Sequence, residues 1–74
     1  MKTLDDIQYE CTRNELGVSR AWLEKVMAAS DAEVMSGIAD GRAVVAKVDD
    51  HNKARAEKIV RALEIVAAAR GLVN

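Results

Sequence analysis

A chain of 74 residues makes one domain with a marginal core, and domains this small usually add disulfides, a metal or oligomerisation to hold together. Its single cysteine excludes an internal disulfide, and one histidine beside it leaves too few donors for a nitrogen/sulfur metal site. Lys+Arg number 11 against 12 Asp+Glu, a net charge of −1, so the chain lacks the basic excess with which free-standing nucleic-acid binders neutralise phosphates.

Proline is absent, and Tyr9 and Trp22 are the only aromatic residues. With abundant Ala, Leu, Glu, Lys and Arg, this composition predicts an all-α fold. The expectation is a single domain over 1–74, with three short helices followed by a long C-terminal one. Thr3 is an N-cap, and Asp5 and Asp6 follow it in the first turn, where the helix dipole favours acids. The first helix is predicted over 4–16, with Leu4, Ile7 and Cys11 facing inward and Gly17 as its stop. Ser19 caps a second helix over 20–29, whose Trp22, Leu23, Val26 and Met27 form a buried stripe anchored by the indole. Ser30-Asp31-Ala32-Glu33 is a capping box that opens a short third helix ending near Met35.

The middle of the chain has two readings. Asp40-Gly41 is a hairpin-type turn signal, after which 42–48 fits a short strand. Alternatively Val44, Val45 and Val48 continue the helical stripe of Ile59 and Val66, either in one long helix or with a break where Asp49 or Asp50 caps the last helix. That last helix, over 52–72, is too apolar for an ordinary surface helix. At about 100° per residue, Ala56, Ile59, Val60, Leu63, Val66 and Ala67 share one face, flanked by Ala62, Ile65, Ala69 and Leu72. The apolar arc spans roughly 240°, against little more than about 100° for a helix covered on one side. A helix of this kind must be covered on several sides, which points to self-association through Ala62, Ile65, Ala69 and Leu72 as a homodimer or higher oligomer.

Leu16-Gly17-Val18-Ser19, with Leu23 and Val26 following, resembles the turn of a helix-turn-helix over 12–29. In that arrangement Ser19, Arg20, Ala21, Glu24, Lys25 and Ala28 face the major groove. Two features resist it: Arg13 stands where the packing of the second helix asks for a small residue, and no earlier helix completes the usual three-helix core. His51 lies among Asp49, Asp50 and Asn52, but the spacing fits neither a zinc site nor a calcium loop and reads as a solvated polar turn. Cys11, in line with Leu4 and Ile7, reads as a small buried hydrophobe. Gly37-x-x-x-Gly41-Arg42 lacks the lysine and hydroxyl of a phosphate loop. No catalytic constellation, metal site or cofactor site emerges.

No apolar run approaches the roughly 18 residues of a membrane span, and the N-terminus lacks a signal-peptide core. The expectation is a soluble cytoplasmic protein, with which an unpaired Cys11 agrees. Small size, missing catalytic groups and a wide apolar helix resemble, in type and not by motif, the small regulators and inhibitors of phages and mobile elements. That implies a non-enzymatic protein that binds a macromolecular partner, a protein more readily than DNA. The candidate contact residues are Tyr9, Ser19, Arg20, Glu24 and Lys25, since exposed Tyr and Arg suit binding surfaces. The alternatives are a dimeric helix-turn-helix regulator and a structural or assembly subunit.

Overall fold

A computed structural model describes residues 3–72 as four helices, with no strand among the described residues. These are α1 (Leu4–Arg13), α2 (Arg20–Ala28), α3 (Asp31–Lys47) and α4 (Asp50–Ala69). Each begins on a short polar side chain that accepts a backbone N–H three residues on. Asp6 donates to Thr3 Oγ1 at 3.3 Å, Trp22 to Ser19 Oγ at 3.1 Å, Glu33 to Ser30 Oγ at 3.1 Å and Asn52 to Asp49 Oδ1 at 3.2 Å. An N-cap of this kind contributes about 1 kcal/mol. At α1 the cap is reciprocal, because the Thr3 N–H donates to Asp6 Oδ2 at 3.0 Å.

The first helix stops earlier than its glycine suggests. Asn14 is the C-cap, and Glu15 turns left-handed with φ 56°. The N–H of Leu16 reaches back to the Cys11 carbonyl at 3.0 Å, and that of Glu15 to Thr12 at 3.0 Å, the paired closure of a Schellman end. Closing the end this way carries Leu16 into the core beside Cys11. Gly17, with φ 67°, bends the connecting segment that follows. At α4 the same closure falls on a glycine: Gly71 has φ 75°, and the Leu72 N–H donates to Ala67 at 2.9 Å.

The short third helix and the strand over 42–48 are corrected to one helix of 17 residues that runs through Gly37 and Gly41. Both glycines face α4. A Cβ on Gly41 would lie 2.6 Å from Val60 Cγ2, and one on Gly37 would lie 3.4 Å from Leu63 Cδ1. Each glycine costs a helix about 1 kcal/mol relative to alanine. Burying Val34 and Ile38 on the same face as α4 closes in outweighs that cost. Gly37 against Leu63 and Gly41 against Val60 set the two helices antiparallel. Val48 is extended and Asp49 caps α4, so the break falls beside Asp50 and the single-helix reading from Arg42 fails.

The core draws Ile7 and Cys11 from α1, Leu16 from the turn, Leu23 and Val26 from α2, and Val34 and Ile38 from α3. The rest comes from α4: Val60, Ala62, Leu63, Val66 and Ala67. Helix α4 packs against all three others, α3 most extensively. Its wide apolar arc is thus largely covered from within the chain, by α3 on the Val60–Leu63 flank and by α1 and α2 on the other. Trp22 does not anchor the centre. It is half-buried at the edge, and Leu23 takes the interior position at 0% exposure.

Arg70 ties three elements together. Its Nη2 donates to the carbonyls of Val26 at 3.1 Å and Met27 at 2.8 Å, and its Nη1 meets Asp31 Oδ1 at 3.1 Å. One guanidinium therefore closes the C-terminal end of α2 and holds the first residue of α3.

Candidate functional site

The early end of α1 leaves 16–19 without helical structure, between the end of α1 and the cap of α2. Leu16, Gly17, Val18, Ser19 and Trp22 form one side of a groove of about 270 Å³, and Arg55, Lys58 and Ile59 of α4 form the other. Leu16 is buried, whereas Ile59 is 39% exposed although its helical phase places it on the apolar face. No described helix covers that position. Trp22 and Val18 pack against the core from beside it and remain half-exposed.

The groove is electrostatically one-sided. Its two charged residues among those described, Arg55 and Lys58, are both cations, both exposed, and neither forms an ion pair with another described residue. The paired arginines lie elsewhere. Arg20 meets Asp5 at 2.9 Å and Glu24 at 3.7 Å, and also donates to Gln8 Oε1. Arg42 meets Glu64 at 3.6 Å. A second, larger groove of about 370 Å³ lies between α3 and α4, lined by Arg42, Val45, Glu57, Val60, Arg61 and Glu64. Its two cations face two carboxylates, so it offers a charged ligand no preferred sign. The smaller groove presents a single sign of charge.

Of the contact and interface candidates read from the sequence, only Ser19 lines the groove, and its hydroxyl oxygen is already taken by the Trp22 N–H. Arg20 and Glu24 pair with each other, and Arg20 reaches across to α1. Lys25 is exposed and forms no ion pair with a described residue, and Tyr9 stands 68% exposed on α1, outside both grooves. Ala62, expected at an interface between copies, is instead fully buried at 0% exposure in the chain's own core. Ile65, Ala69 and Leu72 are half-buried and pack against that core. Arg55, Lys58, Ile59 and Arg70 were not among the candidates. For Ile59 the helical phase itself misleads, because it marks a buried face without saying where along the helix the cover runs out.

Cys11 is buried, and desolvation, with Glu10 nearby, pushes its thiol above the ordinary value of 9.0. It therefore stays protonated and unreactive at neutral pH. Among the described residues no group of three or more His, Cys, Asp and Glu converges to hold a metal ion, and no helix is long and apolar enough to cross a membrane. No protein family model matches the chain, nor does any curated protein or any solved structure.

Proposed function

We propose that this is a non-enzymatic binding protein whose working surface is the groove between the α1–α2 turn and α4, and that its target is another protein. The supporting observation is Ile59, an exposed aliphatic on an otherwise covered face, next to Trp22 and two cations that form no ion pair with a described residue. Trp and Arg are the residue types that carry binding energy when a partner excludes water from them. Burying a large aliphatic side chain completely contributes about 1.5–3 kcal/mol, and a part-exposed one a fraction of that.

Duplex DNA is the weaker target on charge grounds. Arg20, one of the two basic residues at the groove-facing positions of the helix-turn-helix reading, is held by Asp5, Glu24 and Gln8. That leaves Lys25 as the sole uncommitted cation on the outer face of α2. A test compares capture of a partner from the native host by the wild type and by Ile59→Asp, with Met35→Asp as a control on the exposed part of α3. The expected outcome is one stoichiometric protein partner, lost with Ile59→Asp and retained with Met35→Asp. Equal capture by all three proteins contradicts the proposal. Self-association through Ile65, Ala69 and Leu72 is a separate proposal, supported by their partial exposure. Light scattering at high micromolar concentration decides it, and a clean monomer removes it.

A further inference from the structure

We infer that the groove is selective for an acidic peptide segment carrying one bulky apolar side chain between its carboxylates, an inference that rests on reading the groove as a protein-docking surface. The floor and the rim make separate demands. Ile59, Trp22 and Val18 offer apolar surface with no uncommitted hydroxyl, since the Ser19 oxygen is occupied by the Trp22 N–H. At about 270 Å³ the space falls below the roughly 300–1,000 Å³ of pockets that enclose small molecules. It suits one inserted side chain.

The rim sets the sign of the charge. Arg55 and Lys58 stand three residues apart on α4, and positions at that spacing are neighbours on a helix surface. Among the described residues no carboxylate lines the groove, in a chain that carries 12 acids against 11 bases. Such segregation gives a positive potential over an apolar floor. The complement is a pair of carboxylates set far enough apart to reach both cations while a Leu, Phe or Trp between them fills the space over Ile59. Arg adds a planar, bidentate grip on one carboxylate, and Lys a point charge for the other. A nucleic-acid strand would use a stacked base and two phosphates in the same place. Two phosphates are few beside the roughly 6–10 contacts of proteins that bind DNA by charge, so the peptide is the better fit.

The test is a selection from a random-peptide display library against the full chain at physiological salt, followed by titration of the enriched peptides. Trp22, the only tryptophan, reports binding through its emission. The expected pool is acidic with a central bulky apolar residue and shifts Trp22 emission. Its binding disappears with Ile59→Asp and weakens roughly tenfold or more with Arg55→Glu plus Lys58→Glu. The double variant should regain binding to peptides whose acids are replaced by lysines. Both substituted sites are exposed, and an unchanged helical circular-dichroism spectrum verifies that the variant is folded. A pool that needs Ile59 but is not acidic, or ignores the charge reversal, overturns the inference and leaves the docking groove standing. A pool indifferent to Ile59→Asp overturns both. Tighter, strongly salt-dependent binding of a single-stranded oligonucleotide that quenches Trp22 replaces the peptide with a nucleic acid.

Discussion

Gly41 and Gly37 stand one helical turn apart on α3, and they should respond oppositely to the same substitution. At Gly41 a new methyl group would meet Val60 Cγ2 at 2.6 Å, and Val60 is a stiff, buried, β-branched side chain with little room to yield. Overpacking of this kind costs about 1–3 kcal/mol, more than the roughly 1 kcal/mol that alanine gains over glycine in a helix. Gly41→Ala should therefore destabilise by up to about 2 kcal/mol. At Gly37 the same methyl group would reach Leu63 Cδ1 at 3.4 Å, an ordinary contact, so the propensity gain prevails. Gly37→Ala should raise stability by up to about 1 kcal/mol. In a domain of this size, a change of 1 kcal/mol moves the melting temperature by roughly 4–8 °C. A melt that rises for Gly41→Ala as well would show that Val60 does not press on α3 at this glycine.

Elements differ in how far they could be read from the sequence, and the difference follows the range of the interactions that make them. Thr3, Ser19 and Ser30 cap where expected, and of the two aspartates left open before the last helix Asp49 is the one that caps, since each cap bonds only three residues ahead. The all-helical composition held for the same reason: propensity is local. The middle of the chain was misread because Gly37 and Gly41 look like breakers until Leu63 and Val60 are placed against them. The valines around 44–48 then favour a strand only if that packing is ignored. Glu15 took the left-handed position that Gly17 was expected to hold, because closing α1 one turn earlier brings Leu16 inside.

Arg70 was illegible for the most direct reason: its partners Met27 and Val26 lie 43 and 44 residues away. Its side chain is only 18% exposed, and hydrogen bonds from a charged donor contribute about 1.5–3 kcal/mol. Arg70→Ala should cost about 2–3 kcal/mol in chemical denaturation. Arg70→Lys should recover only part of this, since an ammonium lacks the planar fork that reaches two carbonyls and a carboxylate together. Full rescue by lysine would reduce the role of Arg70 to its charge pairing with Asp31.

For the molecule as a whole, the excess apolar surface of α4 divides into a covered part and a gap. Along most of its length α3 lies on one flank and α1 and α2 on the other, which takes Ala62, Val66 and Ala67 to 0% exposure. Near its N-terminal half the cover ends at the α1–α2 turn, and Ile59 is left open between Trp22, Arg55 and Lys58. The sequence disclosed the surplus of apolar area but not where it would surface, because helical phase assigns a side and tertiary packing assigns the span. This gap is the surface proposed to bind the partner. Mapping backbone amide shifts while the captured partner or a selected peptide is titrated onto the labelled chain tests it most directly. Perturbations are expected to gather on Val18, Ser19, Trp22, Arg55, Lys58 and Ile59. Perturbations gathered instead around Met35 and Ala39 on the exposed part of α3, with those residues unmoved, would contradict it.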